Sequence, residues 1–513
     1  MTTSKFSHIT AIVSFVFLAT FLMPVENTYA SDSPLCFTAR NGKVTVSFDI
    51  VNATHTIQYS TDSIGWNTYI SGTEVTVDTN QSVYFRAETN QTLATAFAEL
   101  DGHGSRSSFH FVSSDGGTVE GSGNIMSLYG PDCPDLPLQP RAFEEIFKGC
   151  DLLTTAPELP ATILADFCYC DMFCGCTSLS EAPELPAVTL ATGCYYNMFL
   201  NCFSLTEAPV LSAITLAEAC YSQMFFSCTS LTEAPALPAT TLAEGCYANM
   251  FVDCFSLTIV PALPATTLAE ICYQNMFANC YSLTVAPALP ATALAEACYW
   301  GMFSGCSSLT APPALPATTL AQECYSNMFR ECSSLTTPPA LPATILKQEC
   351  YSYMFAYCSS LTTLPELPAT TLAQECYSGM FGYCTSLRIN SEAPGTPWQI
   401  PSNATPAASW NRGMFFGTGG AQILPPEIGK TYYVSDAKTG TEDIAVNNVI
   451  TYSNEGRIFV TGVAGETVAV YDANGRLVAK IDDASDTQEF YVESSGVYFV
   501  YVGDNETKKV VVK

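Results

Sequence analysis

The sequence predicts an α/β solenoid, one short strand and one short helix per repeat, flanked by two all-β sandwich-like modules. Three observations predict it. The dipeptide Met-Phe recurs every 26 residues from Met172-Phe173 to Met380-Phe381, with Ile146-Phe147 one period earlier, a period typical of stacked supersecondary units. Cysteines keep the same period, ten in a column from Cys150 to Cys384 and nine in a column from Cys168 to Cys376, so the repeat accounts for 19 of the 23. Outside the repeats, apolar and polar residues alternate between Gly, Asp, Asn and Ser clusters, which is the signature of strands.

Taken in order, residues 1–30 read as a secretory signal peptide: Lys5, an apolar run from Ile9 to Met23, then Thr28 and Ala30 flanking Tyr29. Cleavage after Ala30 is expected, and the run is short for a membrane span. Residues 31–128 form an N-terminal β module, with strands expected at Val44–Ile50, Thr56–Tyr59, Glu74–Val77, Ser82–Ala87 and Ser108–Val112. The solenoid spans 129–387 as ten repeats. Residues 388–430 are a cap and linker in which GMFFGTGG, from Gly413, repeats the motif with Thr418 in the cysteine position. Residues 431–513 return to strands, with Asn474-Gly475 marking a hairpin between VAVYD and RLVAK.

Within a unit such as Phe255–Cys280, Leu257, Val260 and Leu263 suit a short extended segment ahead of Pro264. Leu268, Cys272 and Met276 then follow at i, i+4, i+8, the spacing of one helix face. Thr267 with Glu270 reads as a capping box, as do Thr241 with Glu244, Thr319 with Gln322 and Thr371 with Gln374. The expected core columns are represented by Cys246, Met250, Phe251, Cys254, Leu257, Leu263, Leu268, Cys272, Met276, Phe277 and Cys280. A unit cannot bury its apolar face alone, so neighbours stack. Strands spaced about 4.8 Å and helices spaced about 8–10 Å would bend the stack into a horseshoe.

The string CYxxMFxxCxSLTxAPxLPATTLA resembles the BspA-like leucine-rich repeats of bacterial surface proteins, over about 146–390. The resemblance implies a secreted or surface-attached scaffold for adhesion or host-protein binding, without enzymatic activity. The region 36–128 resembles the β module that precedes such repeats. VYDANGRLVAK, GVYFVYVG and the terminal KKVVVK are similar to a C-terminal sorting domain, which implies an outer-membrane secretion apparatus as a partner.

Composition narrows the chemistry. A formal charge of −29 repels a nucleic-acid backbone. His8, His55, His103 and His110 are the four histidines, none in a catalytic motif, and neither a cofactor nor a metal site is expected. The cysteine columns lack paired zinc spacings and are expected as buried thiols; off-column Cys170 and Cys174, four apart, leave a strained disulfide or adventitious metal open. A glycosidase would need unique carboxylates, whereas those here are periodic. The candidate ligand-binding residues are Glu158, Glu181, Glu184, Glu207 and Glu233, expected to face outward on the strand side, where a protein or glycan would bind. Two alternatives stay open: a structural cell-envelope spacer, and a glycan-binding module if Trp300, Tyr353 or Phe203 form an aromatic platform.

Overall fold

The computed structural model describes residues 33–51, 56–88, 106–130, 137–420, 425–435, 450–454, 457–461, 467–472, 476–485, 487–492, 496–502 and 506–512. The leader 1–30 and the hairpin turn at Asn474-Gly475 lie outside them. The chain divides into two compact units, Met1–Ala437 and Lys438–Lys513.

The first unit opens with two facing sheets. One orders β4 (Asn67–Thr68), β3 (Ile57–Ser60), β6 (Ser82–Ala87), β1 (Leu35–Arg40), β8 (Thr118–Ser122) and β9 (Leu153–Thr155); the other orders β5 (Val75–Val77), β2 (Val44–Asp49) and β7 (Ser108–Val112). β9 belongs to the first repeat and pairs parallel with β8. The sheet therefore continues into the repeats, and one hydrophobic core runs unbroken from Leu35 to Val434.

The expected helix is absent. Among the described residues the only helical element is a 3-10 turn at Ile125–Leu128. Each stretch read as a helix is instead a ribbon of overlapping turns whose amides alternate in direction. In one coil, Gln274, Met276, Ala278 and Cys280 donate their N–H groups three residues back, to Ile271, Tyr273, Asn275 and Phe277. Ile271, Tyr273, Asn275, Phe277 and Asn279 donate across to the next coil, to Glu296, Cys298, Trp300, Met302 and Ser304, at 2.7–3.0 Å. Every fourth residue sits at positive φ: Ile271 at 46°, Asn275 at 50° and Asn279 at 59°. The repeat of side-chain direction is thus four residues, not 3.6, which is why the pairs Cys272-Tyr273 and Met276-Phe277 and then Cys280 all point inward. Thr267–Glu270 and its three counterparts consequently cap no helix. Nor is there, among the described residues, a layer of helices spaced at 8–10 Å to bend the stack into the expected horseshoe; buried rings on that side stack at 5.4–6.0 Å.

The extended side is also leaner than a strand per repeat. Most coils contribute only isolated parallel bridges, in two columns: Thr155 to Glu181 to Glu207 in one, Ile163 to Thr189 and Thr215 to Thr241 in the other. Between them Leu263 and Ala265 point inward while Ala262, Pro264 and Thr266 point out. Prolines that cannot donate to a ladder explain why bridges do not lengthen into strands.

The last coil is closed by β10 (Arg388–Asn390), β12 (Tyr432–Ser435) and β11 (Thr396–Trp398). Residues 405–416 stack as a further coil, with Phe415 on Phe381, and Trp398 packs against Phe415 while donating to the Pro365 carbonyl. The second unit is two sheets, β13 (Ile450–Asn454), β14 (Arg457–Thr461) and β17 (Thr487–Tyr491), and β16 (Leu477–Ile481), β15 (Val468–Asp472), β18 (Gly496–Val502) and β19 (Glu506–Val512). They share a core of Ile458, Val460, Val468, Val470, Phe490 and Val500.

The turn ribbon makes a prediction opposite in sign to that of a helix. In a helix Ala is more stable than Gly by about 1 kcal/mol; at a positive-φ site an L side chain costs about 1–2 kcal/mol. Asn275→Gly is therefore expected to be more stable than Asn275→Ala in urea melts, both variants having lost the bond from the Asn275 amide to Asn249. The reverse order would support a helix.

Candidate functional site

Each coil places the same positions on the same face, so the site is read by columns. Cys246, Met250, Phe251, Cys254, Leu257, Leu263, Cys272, Met276, Phe277 and Cys280 are buried, and Leu268 is half-buried. Missing from the expected core is the tyrosine beside each second-column cysteine, Tyr169 to Tyr377, which stacks face to face from coil to coil. Its signal was the constant CY pair.

The 22 cysteines among the described residues are free. First-column thiols donate to the carbonyl of the preceding coil's phenylalanine, as Cys280 does to Phe251 at 3.2 Å and Cys306 to Phe277 at 3.0 Å. An S–H donor fills the second lone pair of an otherwise half-satisfied carbonyl. Burial pushes the thiols up, Cys306 and Cys324 to about 12, so they are poor nucleophiles. Cys170 donates to Asp171 and forms no disulfide with Cys174. Among the described residues no group of three His, Cys, Asp or Glu side chains is placed to hold a metal.

On the extended side the five glutamates fall into two columns. Glu181, Glu207 and Glu233 share the first: Glu181 bridges Glu207, and Glu233 bridges Ile259. All three are exposed and have no ion-pair partner among the described residues. Parallel bridges set like charges about 4.8 Å apart, a repulsion on the order of 1 kcal/mol per neighbouring pair in water. Glu158 and Glu184 lie three residues further along their coils. Glu184 is exposed, whereas Glu158 is half-buried, with its Oε2 enclosed and without a hydrogen-bond partner among the described residues. The first column then turns apolar at Ile259 and Val285, both more than half exposed. At the boundary lies a shallow depression of 330 Å³ lined by Glu233, Ala234, Ile259, Val260, Pro261 and Pro264.

The aromatics named from sequence do not converge. Trp300 is half-buried and stands beside neither Tyr353 nor Phe203 in its column. Exposed rings stack in parallel at Phe255 with Tyr281 and at Tyr357 with Tyr383.

Residues 144–286 and 292–403 match the family described as the BspA type leucine rich repeat region, in six copies. Over those residues the chain is similar to BspA-type leucine-rich repeats. That family is a scaffold of repeats rather than an enzyme family. Residues 438–512 match a domain of unknown function, DUF6383. No curated protein and no solved structure matches the chain. Beside the BspA-type region, no helix among the described residues is long and apolar enough to cross a membrane.

Proposed function

We propose that the protein is a secreted or surface-displayed binding protein whose BspA-type repeats hold a basic protein segment on their extended face. The observation that supports this most directly is the column Glu181, Glu207 and Glu233, three exposed carboxylates at successive coil positions with no cation beside them among the described residues, running into the depression at Ile259 and Val260. A segment carrying lysine or arginine next to an apolar side chain matches both halves. Neighbouring carboxylates repel one another, and a basic partner relieves that repulsion. Export through the leader 1–30 places the site outside the cell, and the second unit is read as the signal that an outer-membrane secretion apparatus recognises.

A pull-down with the mature chain against extracellular-matrix and cell-surface proteins identifies the partner. Changing Glu181, Glu207 and Glu233 together to Gln is then expected to slow association and flatten its salt dependence, since exposed charges are screened beyond about 8 Å at physiological ionic strength. Stability should hold or rise slightly. Association as fast as wild type at low salt would refute the acidic column as the site.

A further inference from the structure

We infer that Phe255 and Tyr281 form a platform for a neutral saccharide, at a corner of the coil distinct from the extended face and independent of the binding proposed there.

The corner is built by tight three-residue turns. Phe255 donates its N–H to the Asp253 carbonyl and Tyr281 to the Asn279 carbonyl, at 3.0 and 2.9 Å, so residues on either side of the buried Cys254 and Cys280 project together. The two rings lie 5.0 Å apart and within 9° of parallel, and are 40% and 44% exposed. The scaffold does not require them. In the same column one other coil carries Phe203 and the first carries Asp151, while the rest carry Thr177, Thr229, Ser307, Ser333, Ser359 and Thr385, so a hydroxyl residue is the usual occupant and would spare the chain its solvent-facing rings.

Three features select the occupant. The outer ring faces look onto coils with only Thr229 and Ser307 in that column, so a flat apolar surface is left over each. The other exposed pair differs: Arg330 lies over Tyr357 at 5.3 Å and Phe416 abuts Tyr383, closing both ends. Second, a planar polar strip runs alongside the open pair. The Asn279 amide donates to Asp253 Oδ1 at 2.8 Å and lies flat over Gly305, where a Cβ would come within 2.1 Å of its oxygen. Asp253 Oδ2 and the Tyr281 hydroxyl have no partner among the described residues. An apolar ring face beside a fixed amide–carboxylate pair is complementary to a pyranose, with its C–H face and rim of hydroxyls. Third, the charge of −29 disfavours uronic, sialic or sulfated sugars. Two coils span about 10 Å, room for one or two sugar rings.

Saturation-transfer NMR on the whole mature chain tests this with cellohexaose, maltohexaose and mannohexaose, and with a hyaluronan hexamer as the acidic control. Transfer to the ring protons of at least one neutral oligomer is expected. Phe255→Thr with Tyr281→Ser, residue types the column already carries, should weaken that binding at least tenfold at an unchanged melting temperature. Tyr383→Ser should leave it unaltered. The inference is overturned if no neutral oligomer receives saturation, if only the acidic hexamer does, or if the double variant binds as wild type.

Discussion

The repeat region is expected to unfold between about pH 8.5 and 10.5 at room temperature without denaturant. Nineteen column cysteines titrate in the unfolded chain near 8.5–9. In the fold, burial holds them protonated to higher pH, Cys246 and Cys384 to about 12, and pushes Cys280 well above its usual range. Between those limits the folded state binds more protons than the unfolded one, so stability falls as pH rises. At pH 10 each thiol contributes roughly 1.4–2 kcal/mol to unfolding, or about 3–4 kcal/mol per coil. Whole domains are stable by only about 5–15 kcal/mol, and stacked coils share their loss with neighbours. Circular dichroism and thiolate absorbance should therefore change together, in one steep step. A fold that persists at pH 11, or thiols that ionise gradually near pH 9 with the fold intact, would show that the columns are not sealed.

That pH sensitivity follows from columns the sequence displays openly. A strict 26-residue period announces stacking, and once Met276 and Phe277 are known to recur in every coil their burial needs no further information. The turn ribbon was harder to read, although its marks were present. Leu268, Cys272, Met276 and Cys280 are each four apart; on a helix each step drifts by 40°, so the first and last would not share a face. Asn, Asp and Gly also recur four apart, at Asp171 and Gly175, Asn197 and Asn201, Asn275 and Asn279, Gly301 and Gly305. These residues tolerate positive φ, and the structure places all of them there. Short apolar spacing alone does not separate a four-residue turn ribbon from a helix. The acidic column was legible because its glutamates are 26 apart. The half-burial of Glu158 was not, because Asn124, which bridges it, lies in the N-terminal β module, outside any period. For the same reason no sequence pattern links Arg106, just ahead of β7, to Glu144 in the first coil.

Glu144→Ala is expected to cost about 3–5 kcal/mol, the usual penalty for breaking a buried ion pair by removing one partner. Arg106 Nε and Glu144 Oε2 are 2.7 Å apart with both side chains only 8% exposed, and Arg141 Nη1 reaches Glu144 Oε1 at 2.5 Å. Removing the carboxylate takes from the Arg106 guanidinium its buried ion-pair partner, while Arg141, more exposed and lying over Phe167, can turn to water. The damage should be local before it is global. The Cys150 thiol donates to the Phe109 carbonyl across the same joint, and Phe109 stacks on Phe147. In Glu144→Ala, Cys150 should therefore become the first of the column cysteines alkylated under native conditions, read by mass spectrometry of peptides, while Cys280 stays protected. Replacing the pair together, Arg106→Met with Glu144→Leu, removes both buried charges and should recover most of the loss. If the double variant is no more stable than Glu144→Ala, the charge is not what the joint depends on, and packing of Phe109 on Phe147 would have to account for the junction by itself.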